Sequence, residues 1–130
     1  RPLMSLAPIP RVFCNIDSLK QVFLNIILNA VQAMPNGGEL RVRSKLSADD
    51  QWVEIEFHDT GVGISEGNMA HLFTPFFTTK SPSGGTGLGL YLSYTLLNRE
   101  GGDIAAKRNE GRGTTFVVKL PVAKEQDATF

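Results

Sequence analysis

Apolar residues fall at Leu19, Val22, Phe23, Ile26, Ile27, Ala30, Val31 and Met34, a period near 3.6 that an amphipathic helix against a core produces. Asp17 is placed to cap its start, and Pro35-Asn36-Gly37-Gly38 must end it. The period then changes to two. Glu39 to Leu46 and Trp52 to Phe57 alternate charged with apolar residues across Asp49-Asp50, which predicts an antiparallel strand pair with one face buried. After a stretch without periodicity comes a second helix over about Gly87 to Arg99, stopped by Gly101-Gly102. Strands at Asp103 to Lys107 and Thr114 to Leu120, joined by Glu110-Gly111-Arg112-Gly113, complete the pattern. Ahead of the first helix, Pro2, Pro8 and Pro10 punctuate the chain and Val12-Phe13-Cys14 reads as a short strand. The order is strand, helix, two strands, loop, helix, two strands, so an α/β architecture with helices layered on one face of a mixed sheet is expected.

Composition narrows the function. With 130 residues, 42% hydrophobic and 20% charged, there is material for one core and one domain, over residues 1–122, with 123–130 as a flexible tail. Thirteen basic residues balance thirteen acidic ones, so no overall field gathers nucleic acid or an anionic membrane surface, and any anion site must be local. Cys14 alone excludes an internal disulfide and a multi-cysteine zinc site, and fits a reducing compartment. The longest apolar stretch, Val22 to Val31, is broken by Asn25 and Asn29 and falls well short of the roughly 18 apolar residues of a membrane span. The chain starts at Arg1 without a secretory signal pattern, the expected look of a piece of a longer cytoplasmic polypeptide, which itself could be membrane-anchored.

Several residues carry chemistry. Gly84-Gly85-Thr86-Gly87-Leu88-Gly89-Leu90 feeds directly into a helix start, where backbone N–H groups and the helix dipole suit phosphate; such a loop also serves as a plain hinge. On the first helix Gln21, Asn25, Asn29 and Gln32 form one amide stripe. A neutral amide oxygen can ligate Mg²⁺, which makes Asn29 the metal candidate against the plainer reading of a solvated helix face. Asp59 sits where a strand meets Gly61 and Gly63, so its carboxylate could accept from an exocyclic amine while the glycines admit a flat ring; a turn aspartate bonding its own backbone is the alternative. Adjacent strand residues point to opposite faces, so His58 and Asp59 do not form a dyad. His71, among apolar neighbours, is a structural or surface histidine. Between Leu72 and Tyr91 the one cation is Lys80, on a long loop from Phe73 to Gly85 that can close over phosphates. Phe73, Phe76 and Phe77 bury the loop's root, and Thr114 and Thr115 either meet a base edge or simply fit a strand. A Walker A loop, a dinucleotide fingerprint and the eukaryotic-type kinase signatures are all missing.

Taken in order, Asn25-Ile-Ile-Leu-Asn29-Ala30, Asp59-Thr-Gly-Val-Gly63-Ile64, Phe73-Thr-Pro-Phe76-Phe-Thr-Thr-Lys80, Gly85-Thr-Gly87-Leu-Gly89-Leu90 and Gly111-Arg-Gly113-Thr-Thr115-Phe116 resemble the N, G1, F, G2 and G3 boxes of histidine-kinase ATP-binding domains. The resemblance covers roughly residues 5–121, and the lid looks most like that of nitrogen-regulator sensor kinases. It implies a Bergerat fold, a two-layer α/β sandwich with a mixed, mostly antiparallel sheet and three helices on one face, the third short and near Glu66 to His71.

By the same resemblance Asp59 would hold the adenine amine, with Gly61, Gly63, Ile64 and Phe73 around the nucleotide and Thr115 reaching the base through water. Asn29 would bind Mg²⁺, Asn25 would contact phosphate, and Gly85, Thr86, Gly87, Leu88, Gly89 and Leu90 would bring the lid to the phosphates with Lys80 as counter-charge. Related ATPases carry a glutamate base where this chain has Asn25, so hydrolysis should be slow, an amide being unable to take a proton from water. The implied activity is transfer of the ATP γ-phosphoryl to a histidine on a separate dimerisation domain of the same homodimeric protein, and from there to a response regulator. A serine-kinase anti-sigma factor on the same fold and a docking module without catalysis are the rival readings.

Overall fold

The computed structural model describes residues 2–6, 15–64, 66–69, 71–73 and 89–122. The elements are β1 (Pro2–Leu6), α1 (Ile16–Gln32), β2 (Leu40–Leu46), β3 (Trp52–Asp59), α2 (Glu66–Met69), α3 (Gly89–Arg99), β4 (Asp103–Arg108) and β5 (Thr114–Pro121). Among the described residues the sheet order is β1-β2-β3-β5-β4, with β1 parallel to β2 and the other pairings antiparallel. The expected mixed, mostly antiparallel sheet is what forms.

Alternation decides which side of the sheet is covered. On β5, Thr114, Phe116, Val118 and Leu120 are buried toward the helices, as are Val53, Phe57 and Asp59 on β3. Arg41, Arg43 and Lys45 of β2 lie on the other face, exposed. The buried stripe of α1, Val22, Ile26 and Ala30, packs with Leu97 of α3 on Phe57, Phe116 and Val118, and Phe23 meets the Phe57 ring at 5.4 Å. Met69 of α2 and Leu72 join the same core, which places all three helices in one layer.

Three boundaries differ from the expected ones for identifiable reasons. Asn15, not Asp17, caps α1: Asn15 is extended (φ −73°, ψ 118°) and its Oδ1 accepts from Ser18 N at 3.0 Å, while Asp17 is already in the first turn, where its charge suits the helix dipole. The first strand is Pro2–Leu6, pairing from Pro2↔Leu40 to Leu6↔Ser44; a proline is tolerated as the first residue of an edge strand. The expected strand at 12–14 lies outside the described residues, as do the tail at 123–130 and most of the loop expected over Phe73 to Gly85. Finally, β3 runs two residues past Phe57, carrying Asp59 inside the sheet rather than after it.

Candidate functional site

Asp59 is the last residue of β3 and only 1% exposed. A carboxylate taken out of water must be hydrogen-bonded, and Oδ1 accepts from Gly61 N at 2.9 Å and from Thr114 N at 3.2 Å. The first bond folds the chain sharply after β3; the second ties it to β5. Asp59 therefore fills the turn role and still presents a buried carboxylate at a strand end.

The glycines around it have distinct tasks. A Cβ on Gly61 would stand 2.5 Å from the Ala33 carbonyl, at the end of α1, where Val62 N also donates at 3.0 Å. The close approach that Gly61 permits is to the helix. Gly63 has φ +77°, which favours glycine, and it lies beside the Gly113 backbone. Gly113 is tighter still: φ is +100° and a Cβ would stand 2.0 Å from the Asp59 carbonyl. Arg112 Nε donates to Gly61 O at 3.0 Å, so the loop before β5 and the loop after β3 are clasped together.

Thr115 does not reach this side. His58 pairs with Thr115 across β3 and β5, so the two side chains share the face opposite Asp59. The Thr115 hydroxyl donates to Asn109 Oδ1 at 2.5 Å and contacts His58 Nδ1 at 3.0 Å. The expected base contact of Thr115 is corrected accordingly: the threonine beside Asp59 is Thr114, 3% exposed and on the helix-facing side. His58 and Asp59 have separate partners, as the alternation of strand side chains requires.

On α1, Asn25, Asn29 and Ala33 recur every four residues along one face. The loop after β3 docks at Ala33 and α3 begins beside Asn25, so the two ends of the site are about 12 Å apart along the helix, from eight steps of ~1.5 Å. Asn29 is half-buried between them. Asn25 Oδ1 accepts from Gln21 Nε2 at 2.9 Å; its Nδ2 donates to Gly89 O at 3.1 Å and to Ser93 Oγ at 3.3 Å. Both Asn25 N–H groups are directed at α3, so the amide links α1 to the first turn of that helix.

Gly89 opens α3, with Leu90 half-buried against the core. Phe73 packs on that core and stacks on Tyr94, centroids 6.0 Å apart, while Ile64 is half-buried beside it. His71 is exposed, in keeping with a surface histidine. Phe76, Phe77, Lys80, Gly85, Thr86, Gly87 and Leu88 lie outside the described residues. Asn109 and Arg112, absent from the expected set, bind the loop that holds Asp59. The available signal was their position flanking the glycines of a strand-joining loop.

Residues 14–124 match the family described as histidine kinase-, DNA gyrase B-, and HSP90-like ATPase. Sporulation kinase E of Bacillus subtilis is 41% identical over 119 residues, 92% of this chain and 16% of that protein. Sensor histidine kinase ZraS of Salmonella typhimurium is 42% identical over 118 residues, 90% of this chain and 25% of the relative, so the chain spans a quarter or less of these proteins. Among solved structures, the mycobacterial sensor histidine kinase MprB superposes with a TM-score of 0.81 at 26% identity, over 92% of this chain and 80% of that one. The catalytic domain of histidine kinase ThkA, nucleotide-free, gives 0.80 at 29% identity, over 92% and 78%.

Proposed function

The chain belongs to the histidine kinase-, DNA gyrase B-, and HSP90-like ATPase family, as an ATPase domain of the sensor histidine kinase kind, and from that premise we propose that it binds Mg-ATP and donates the γ-phosphoryl group to a histidine on a separate helical domain of the same protein. The observation that supports this is Asp59, a buried carboxylate at a strand end whose Oδ1 is fixed by two backbone N–H groups; on this reading its other oxygen accepts from the adenine amine. Thr114 stands beside it on the same face, and Gly63 with Ile64 borders the base.

The triphosphate runs along α1 from Ala33 toward the start of α3, where Gly89 and Leu90 open the helix and the helix N-terminus favours an anion. By the family resemblance Lys80, with Gly85, Thr86, Gly87 and Leu88, would supply counter-charge and backbone donors to the phosphates. Among the described residues no group of three or more His, Cys, Asp or Glu is arranged to hold a metal. Mg²⁺ is commonly held mostly by phosphate oxygens and water with few protein ligands, and Asn29 would supply such a ligand here. When bound, Mg²⁺ would neutralise charge on the transferring phosphoryl group.

Asn25 fixes the start of α3 through Gly89 and Ser93 and, being an amide, supplies no base for water. Transfer needs positioning and charge neutralisation more than proton abstraction, so a histidine nucleophile suffices where water is poorly activated. From the phosphohistidine the group passes to a response-regulator receiver domain. On the family reading the domain acts on the cytoplasmic side. Among the described residues no helix is long and apolar enough to cross a membrane.

Mixing this chain, Mg-ATP and the histidine-bearing helical domain of the full-length protein should give acid-labile, base-stable phosphate on that domain. ATP binding without any transfer would leave a nucleotide-binding docking module in its place.

A further inference from the structure

We infer that Asn109 is a positioning residue for adenine recognition, acting through Asp59 from the opposite face of the sheet; the inference rests on the reading of Asp59 as the adenine acceptor. Asn109 lies in the loop between β4 and β5, and its own N–H closes that loop on Gly113 O at 3.1 Å. Its side chain then reaches β3. Nδ2 donates to the Asp59 carbonyl at 2.9 Å and contacts His58 Nε2 at 3.3 Å, while Oδ1 accepts from the Thr115 hydroxyl.

The chemistry of the partners leaves one arrangement. A carbonyl only accepts, so the nitrogen of the Asn109 amide must face Asp59 O, and Oδ1 must then face Thr115. With its one proton given to Asn109, the Thr115 oxygen can only accept from His58, which puts a proton on Nδ1 and leaves Nε2 to accept the second Asn109 N–H. Every donor in this four-residue network is matched to an acceptor.

The consequence falls on Asp59. Its carboxylate is held in front by Gly61 N and Thr114 N, and its main chain is held behind by Asn109. Gly113, crossing beside the Asp59 carbonyl without room for a Cβ, accepts from Asn109 N and so holds the loop against the end of β3. Removing the amide frees the end of β3 to shift, and a carboxylate displaced by a few tenths of an ångström loses the directional bond to an exocyclic amine while contacts to phosphate are unaffected.

The test uses two nucleotides differing at that amine. Calorimetric Kd values for ATP and for inosine triphosphate, which lacks the amine, are measured for wild type, Asn109→Ala, Asn109→Gln and Asp59→Asn. We expect Asn109→Ala to lower the ATP-to-inosine-triphosphate affinity ratio about five- to tenfold, the weight of one hydrogen bond, with inosine triphosphate binding nearly unchanged. Asn109→Gln, which keeps the donor, should recover part of the ratio. A purely structural role would weaken both nucleotides by the same factor and overturn the inference. If Asn109→Ala does not fold, Thr115→Val, which removes the hydroxyl that orients the amide, must lower the ratio about two- to threefold, and an unchanged ratio overturns it equally. Asp59→Asn separates the two levels: if it also leaves the ratio intact, the adenine reading itself has failed; if it collapses the ratio while the Asn109 variants do not, only the positioning role has.

Discussion

At the Asp59 end of the site the ties are short, mostly involve backbone, and close on one another: Gly61 N and Thr114 N to Oδ1, Asn109 to the carbonyl, Arg112 to Gly61 O, Val62 N to Ala33 O. At the Asn25 end they are side-chain amides on a half-exposed helix face, Gln21 to Asn25 and Asn25 to Gly89 and Ser93. The first end is a fixed socket built into the sheet. The second joins two helices by side-chain bonds, each worth roughly 0.5–1.5 kcal/mol net, and apart from the one to the buried Ser93 they lie within reach of water. On the proposed function, a nucleotide recognised by its base that then gives up a phosphoryl group needs that division: rigidity where identity is read, and freedom where product leaves.

The sharpest way to break the socket is Gly113→Ala. A Cβ 2.0 Å from the Asp59 carbonyl, at φ +100°, cannot be accommodated without moving β3 or β5. We expect a loss on the order of 3–5 kcal/mol in stability, read from denaturant midpoints, together with loss of ATP binding. Gly63→Ala, where the nearest atoms stand at 3.6 Å and only the backbone angle objects, should cost about 1 kcal/mol or somewhat more. Similar losses for the two would show that the socket is not set by close approach at Gly113.

Next in size is Asp59→Asn. It keeps Oδ1 for the two backbone donors and changes the group proposed to face the adenine amine from acceptor to donor, so folding should survive. ATP affinity should fall roughly 10- to 100-fold, the weight of a hydrogen bond to a charged group. A wild-type Kd in this variant would move recognition away from the socket. Asn29→Ala, at the other end, should leave ATP binding without metal unchanged and remove most of the gain that Mg²⁺ confers, measured by titrating ATP with and without the cation.

The parts of this molecule that burial patterns determine were readable from the chain alone. The stripe Val22, Ile26, Ala30 and the alternation along β2, β3 and β5 are dictated by which side chains must leave water, and each appears where the spacing puts it. What escaped depended on parity or on distant partners. Thr114 and Thr115 are the same residue type, so composition does not tell which faces inward; counting back from Phe116 by two would have selected Thr114, and a slip of one residue moves the hydroxyl to the other face of the sheet. Asn15 and Asp17 both suit a helix start, and only backbone conformation separates them. The amide stripe of α1 was visible, but what it binds sits 64 residues further on, at Gly89.

That last contact changes what a glutamate at position 25 would do. From the chain alone, Asn25→Glu is a clean test for a missing base, since the family resemblance implies a glutamate base at that position in related ATPases. In the structure the replaced group is a donor to the Gly89 carbonyl and the Ser93 hydroxyl, and a carboxylate offers nothing to the carbonyl and repels it. Two effects therefore compete, a gained base and a loosened α3. Asn25→Ala isolates the second: it should lower stability by roughly 1 kcal/mol and shift Tm by a few degrees, with base recognition at Asp59 untouched. If Asn25→Glu lowers Tm by as much as Asn25→Ala and leaves hydrolysis slow, the carboxylate has turned away from α3 without meeting a water. If hydrolysis rises while Tm falls, the helix junction and the absence of a base are independent properties of one position. An Asn25→Ala variant as stable as wild type would show that the amide link contributes nothing, and the contrast between a rigid socket and a bonded but yielding junction would reduce to the socket alone.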